Sequence, residues 1–351
     1  MERRIYGELE IRNVEPSGDW DKIVKHDGGQ IFASSAFLRL LQCHLPGSEP
    51  HHLAAFLNGE MVAVMPAMKM CVKNLGCVSN SSPFYGSHGG VYTKLKDEKR
   101  RECVKALLES YKLECKSSGC ITSNVVEPLG NKDYSLYREI LQPWKTDNRI
   151  SQLIKDIVND EDQMMSRYQS KTRNMVRKAI KEGIKVRQTQ KADSLGFLYQ
   201  VHTENMLAIG GRPKSKSFFD LILTYLEPEK DWTIFEAYIG TECISSLLVL
   251  FFGDNAEYFT PVICSNYRSA QPMSLIVHFA ILESAKRGYK YFNFGGTWKS
   301  QEGVYRFKKR WDATDIPYTY YINKYVENAI IFKMKPSTLL DSFYGCYIYP
   351  M

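Results

Sequence analysis

Two stretches of the chain follow the same plan. LAAFLNGEMVAVMP (53–66) and FEAYIGTECISSLLVL (235–250) are each two apolar runs, broken at Asn58-Gly59 in the first and at Gly240 in the second. Apolar runs around such a break mark a β-hairpin. In both halves the hairpin leads to a long helical spacing and then a strand. The first half has a helix over 96–116 and a strand over 119–126; the second has a helix over 272–287 and a strand over 289–294. The offset is about 180 residues. Recurrence in the same order limits the fold, because each copy must bury its own sheet against its own helix. The expectation is an α/β chain of the α+β type. It has two tandem domains, 1–160 and 161–351, each a mixed central sheet flanked by helices. With 351 residues, 44% of them hydrophobic, the chain can fill two cores.

Further local readings follow. The alternation in 5–14 predicts one strand, and the apolar spacing over 164–181 predicts one helix closed by Gly183. The N-terminus has basic residues but no apolar stretch behind them, so no secretory leader is expected. No window is apolar enough to span a membrane. Nine cysteines lie scattered with no paired zinc-ligand spacing, and the seven histidines form no HExxH cluster. They read as reduced structural thiols in a cytoplasmic protein, with no metal expected.

The net charge of +7 is concentrated in one place. Between Met165 and Lys191 nine Lys or Arg face one acid, Glu182, which makes that segment +8 and the remainder −1. A solvated helix face is the ordinary meaning of such a run; the functional meaning is a docking site for a polyanion. Arg173 and Arg177, at i and i+4, share one face, and Lys171 and Lys178, seven apart, share another. Either pair suits a phosphate, and arginine suits it bidentately.

The most informative stretch is YFNFGGTWKSQEGVYRFKKR (291–310). An aromatic strand runs into Gly295-Gly296, where glycine allows positive φ and leaves backbone N–H groups open to a ligand. An aromatic-basic cluster, Phe307-Lys308-Lys309-Arg310, follows.

Three segments together, WDKIVKHDGGQIFASSAFLRLL (20–41), SKTRNMVRKAIKEGIKV (170–186) and GYKYFNFGGTWKSQEGVYRFKKRW (288–311), resemble the Fem-type aminoacyltransferases within the GNAT acyltransferase superfamily. The resemblance implies two GNAT folds side by side and transfer of an acyl or aminoacyl group onto an amine. It implies an acceptor drawn from cell-wall or polysaccharide biosynthesis, either a small molecule or a nucleotide-linked amine. The implied donor is aminoacyl-tRNA or acyl-CoA, with no permanently bound cofactor. Lys308 matches the lysine after phenylalanine in the family's closing motif, which implies a place near the donor's leaving group. Phe307, Gly295 and Gly296 shape that pocket. Tyr85 and His88 fall where the family places substrate contacts, with His88 a candidate acceptor for the amine proton. Arg212, after Gly210-Gly211, resembles an acceptor- or phosphate-lining loop. Tyr258, on the strand expected to face the closing motif, is a candidate hydrogen-bond partner for the substrate.

Two departures are visible. Only about 50 residues separate the basic helix from the Thr233 strand, too few for the helical arm of the tRNA-using staphylococcal type. The R/Q-x-x-G-x-G/A loop that cradles coenzyme A pyrophosphate appears as Arg268-Ser269-Ala270-Gln271-Pro272-Met273, without its glycines. The competing reading is a catalytically inert GNAT-like module that binds an anionic ligand or partner. A duplex nucleic-acid binder is disfavoured, because one basic helix with no dimerisation signal reads a groove poorly.

Overall fold

The computed structural model describes residues 3–83, 88–297 and 301–349. The chain divides into two compact units, residues 1–149 with 317–351 and residues 150–316. This moves both expected borders. The division falls in a strand before residue 160, and the last 35 residues belong with the first unit.

In unit 1 the expected single strand over 5–14 is a hairpin, β1 (Arg3–Tyr6) and β2 (Leu9–Asn13), because Gly7 takes φ +58° and turns the chain. Helices α1 (Gly18–His26) and α2 (Ser35–His44) follow. Next come β3 (Ser48–Pro50) and the predicted hairpin β4 (Leu53–Leu57) and β5 (Glu60–Met65), turned by Asn58 and Gly59 at positive φ. Strands β6 (Met68–Val72), β7 (Gly76–Asn80) and β8 (Tyr92–Thr93) precede the long helix α3 (Asp97–Ser117) and β9 (Cys120–Val126). Helix α4 (Tyr134–Leu141) leads to β10 (Lys145–Lys155), along which the chain enters unit 2. One sheet of unit 1 runs β1-β2-β4-β5-β8, and β7 lies between antiparallel β6 and parallel β9. Helix α3 buries Val104, Leu107, Leu108 and Tyr111 against Leu53, Ala63 and Val125.

Unit 2 begins with α5 (Glu161–Arg167) and α6 (Ser170–Lys181). One helix was expected over 164–181, but Tyr168 and Gln169 are extended and divide it. Then come β11 (Lys185–Thr189), α7 (Ala192–Ala208), α8 (Lys216–Tyr225) and the three-stranded meander β12 (Trp232–Ile239), β13 (Glu242–Phe252) and β14 (Asn255–Ile263). Helix α9 (Pro272–Lys286) carries its proline in the first turn, where a missing N–H costs nothing. It leads to β15 (Tyr291–Thr297), parallel to β14. The Phe307-Lys308-Lys309 cluster lies on a helix, α10 (Glu302–Lys309). The chain leaves the unit along β16 (Thr314–Lys324), which pairs with β9 in unit 1, and α11 (Pro336–Ser342) follows.

The tandem reading holds. Each unit contains a parallel strand pair joined by a long helix, β7–α3–β9 in the first and β14–α9–β15 in the second. One cysteine expectation is corrected: Cys71 and Cys77, facing each other across the β6–β7 hairpin, are bonded, while the other seven are free. Sequence spacing misses this pair because its register depends on the hairpin.

Candidate active site

Strands β14 and β15 pair only through Asn255–Tyr291, Ala256–Phe292 and Glu257–Asn293. Beyond that point β14 continues to Ile263 beside β13, and β15 continues to Thr297 beside β10. The two strands therefore part company within the sheet. Backbone groups at such a divergence need another partner, which makes it a place for side chains or a ligand.

The closing motif fills one side of it. Lys308, 5% exposed, donates from Nζ to the carbonyls of Gly295 (3.2 Å) and Gly296 (3.0 Å) and to Thr297 Oγ1 (2.9 Å). Thr297 Oγ1 in turn donates to Gln152 (3.2 Å). Gly295 has φ +71°, which a side chain would strain. The N–H of Gly295 is not open as expected; it donates to Asn293 Oδ1 at 3.0 Å. Gly296 sits in register with Ser151 on β10. The diglycine thus presents carbonyls to Lys308 rather than amides to a ligand.

All three Lys308 partners are neutral, and no carboxylate pairs with it among the described residues. Burial alone pushes its ammonium down to about 8. The stability consequence has a definite sign. The folded value lies below the ordinary 10.5, so the unfolded chain binds the extra proton and Lys308 opposes folding below pH 8. That opposition fades between pH 8 and 10.5. The unfolding free energy of the native protein minus that of Lys308→Met should therefore rise across this window, read by urea titration at stepped pH. A flat difference would refute the shift.

Phe307 is a packing residue, in edge contact with Phe294 (6.3 Å) and Trp311 (6.1 Å). Tyr258 stands one residue past the last paired position, its ring edge-on to Phe294 at 5.2 Å. Burial pushes its phenol above the ordinary range, so it keeps its proton and can donate. The structure therefore brings together Tyr258, Gly295, Gly296, Phe307 and Lys308.

The basic helix is only partly available. Arg173 is turned to the Tyr168 carbonyl, so the expected Arg173–Arg177 phosphate pair does not form; Arg177 is exposed alone. Arg167 is spent on Asp312 and on the Lys155 and Asp156 carbonyls. Lys171 and Lys178 do share a face. With Ser170, Asn174, Met175 and Gln271 they line an open recess of about 410 Å³ at the start of α9. Gln271 holds φ +63°, the conformation that glycine supplies cheaply, and ties its amide back to the Arg268 carbonyl at 3.1 Å. The turn of the missing glycine loop is thus kept without the glycine.

Three candidates remain. Arg212 is exposed on the loop between α7 and α8. Tyr85 lies outside the described residues. His88 belongs to unit 1, where it is 0% exposed with its ring 4.4 Å from Tyr318. Its Nδ1 donates to the Glu127 carbonyl (3.0 Å), and burial pushes it down to about 4. An enclosed, weakly basic imidazole does not meet an incoming amine, so the proton-acceptor expectation is not supported by its surroundings.

Two residues escaped the sequence reading. Glu257, 2% exposed at the last paired position, accepts from Asn293 Nδ2 (2.8 Å), and Asn293 positions Gly295. In sequence it is one acid in a strand. Lys214 lies over the Phe259 ring of β14 at 5.0 Å, and burial pushes it down to about 8. Its only signal was the Arg212-Pro213-Lys214 run.

Residues 167–309 match the acetyltransferase (GNAT) domain family. This segment covers most of unit 2 and holds both the Lys308 site and the α6–α9 recess. Solved structures share the fold over nearly the whole chain. FemX superposes with TM-score 0.70 at 15% identity, covering 95% of this chain and 99% of its own. L-PGS from Bacillus licheniformis gives 0.54 at 11%, covering 94% and 97%. A tandem GNAT protein from the clavulanic acid biosynthesis pathway gives 0.52 at 8%, covering 92% and 100%. No curated protein matches the chain in sequence at a significant level. The chain carries two GNAT-like units and is an acyltransferase by its second-unit domain.

Proposed function

We propose that the protein transfers an acyl or aminoacyl group to an amine of a cell-wall or polysaccharide precursor. The observation carrying this reading is the Lys308 ammonium, buried at the divergence of β14 and β15 without a counter-charge among the described residues. An unpaired buried cation is costly unless an anion completes it. A donor phosphate, or the oxyanion that develops as an amine attacks an ester or thioester, is such an anion. The Lys171–Lys178 recess lies at the start of α9, where helix amides add affinity for phosphate. The phenol of Tyr258 donates to the reacting oxygen. No covalent nucleophile is assigned: the amine enters neutral and its proton leaves with the departing donor group. Positioning and electrostatics together account for several kcal/mol of barrier lowering.

The donor is aminoacyl-tRNA or an acyl thioester such as acyl-CoA, and the acceptor reaches the enzyme in the cytoplasm. Among the described residues no helix is long and apolar enough to cross a membrane. Equilibrium binding of charged tRNA, uncharged tRNA and a panel of acyl-CoA thioesters at matched salt tests the reading. Lys171→Glu with Lys178→Glu should weaken the true donor by 10-fold or more, on the order of 1.4 kcal/mol, and flatten its salt dependence. Binding of no donor would favour the inert anion-binding module.

The pH dependence follows from the same ammonium. Donor affinity should fall as pH rises through about 8, where Lys308 loses its charge. The Lys308→Ala protein should lack that limb. Affinity flat through this range in the native protein would show that the charge is not used.

A further inference from the structure

Unit 1 contains a sulfur arrangement that acyl transfer does not use. Strand β7 lies between β6 and β9, and Cys77 on β7 is in register with Cys71 on one side and Cys120 on the other. Facing residues on adjacent strands point to the same side of a sheet. Both Cys77 and Cys120 accordingly pack against the α3 cluster. The register shifts between Cys77 and Val78, where β9 carries an extra residue. Without that bulge Ile121 would face Cys77; with it, Cys120 does. Bulges re-aim side chains in this way.

Three cysteines therefore stand in a row across three strands. Cys71 and Cys77 are bonded, and Cys120 is a free thiol on the far side of Cys77. Exchange at a disulfide requires a thiolate to approach the central sulfur opposite the leaving one. The register places Cys120 on the strand opposite Cys71, the side from which that approach comes.

We propose that Cys71, Cys77 and Cys120 form an internal thiol–disulfide exchange site. The Cys120 thiolate attacks Cys77 Sγ, the Cys77–Cys120 bond forms and the Cys71–Cys77 bond breaks. The electron pair leaves on the Cys71 sulfur, which takes up a proton equivalent to the one Cys120 lost, so no outside oxidant is consumed. The product differs from the starting state in accessibility. Cys120 is 1% exposed, whereas Cys71 is an exposed hairpin residue. Exchange moves the bond inward and releases a surface thiol able to exchange with a small disulfide, one half of which stays on Cys71 while the other leaves as a thiol.

The surroundings favour the thiolate. Cys115 on α3, 0% exposed, acts on the Cys120 thiol, Ser118 Oγ lies 3.6 Å from the Cys120 sulfur, and Lys69 acts against Glu114 in the local field. Cys115 first, then Ser118 and Lys69, push Cys120 down to about 7, against its burial and Glu114, which push it up. Nearby, the half-buried His51 bonds through Nε2 to Ser79 Oγ (2.8 Å), Ser79 Oγ bonds to Tyr111 (2.9 Å), and Glu114 lies 3.4 Å from His51 Nδ1.

The test is disulfide mapping. Purified protein is oxidised with diamide, held near neutral pH, alkylated with N-ethylmaleimide and digested without reduction. The native chain should yield both Cys71–Cys77 and Cys77–Cys120 peptides, with Cys71 alkylated in the second. Cys120→Ser should lose the second species entirely, and Cys71→Ser, a surface change, should still form Cys77–Cys120. Native protein giving Cys71–Cys77 alone, with no cross-link in Cys71→Ser, would overturn the proposal. So would finding no bond among the three.

Discussion

Replacing Lys308 with alanine lowers turnover by about 10²- to 10³-fold, the cost of removing a preorganised positive charge whose field stabilises a developing oxyanion. The three Lys308 donors are fixed by Gly295, Gly296 and Thr297, so the ammonium cannot swing away when a substrate arrives. With neutral partners only, its field is not cancelled locally, and the ligand supplies the missing negative charge. Lys308→Arg is expected to rescue little, because a planar guanidinium is too large for a three-point grip shaped for an ammonium. Steady-state kinetics on the identified donor check both variants. Turnover within a few-fold of native in Lys308→Ala, with the fold intact by circular dichroism, would remove Lys308 from the chemistry.

Trp311→Ala destabilises the protein by about 3–5 kcal/mol, as expected for deleting a large buried aromatic. Trp311 is 0% exposed and touches Tyr168 (4.9 Å), Phe294 (6.5 Å) and Phe307 (6.1 Å). Its backbone N–H donates to the Lys308 carbonyl (3.1 Å), so the same residue anchors the end of α10. The alanine protein keeps this main-chain bond and should lose stability through the deleted ring contacts with Tyr168, Phe294 and Phe307. Trp311→Phe separates the contributions. The indole Nε1 has no hydrogen-bond partner, so phenylalanine keeps most of the packing and removes a buried orphan donor. Its cost should stay below about 1.5 kcal/mol. Urea denaturation measures both; an alanine cost under about 1 kcal/mol would mean that this cluster does not hold the site together.

The sequence made the architecture readable because two hairpins, two long helices and two closing strands recur in order, and periodicity reports such elements directly. It misplaced the unit borders because β10 and β16 are strands whose partners lie far away in the chain. A C-terminal segment that returns to the first unit leaves no local mark. The closing motif was legible as chemistry, since a buried aromatic strand, two glycines and a lysine are an unusual combination. The direction of its hydrogen bonds was not, because whether Gly295 offers its N–H or its carbonyl depends on Asn293 and on a helix that brings Lys308 back. Charge counting found α6 but could not show that Arg167 and Arg173 serve local structure and leave Lys171 and Lys178 facing the recess. His88 shows the same limit from the other side: the resemblance implied a substrate contact, while the ring lies buried against Tyr318. Gln271 shows it for backbone: the absent glycines suggested a lost turn, yet the turn is kept.

The central claim is that the donor binds in unit 2 at the β14–β15 divergence. Hydrogen–deuterium exchange, with and without the donor chosen by the binding panel, tests it most directly. The account predicts slowed exchange in residues 265–275, 291–297 and 302–309, lost when Lys308 is alanine. Protection confined to unit 1, or unchanged by that substitution, would contradict it.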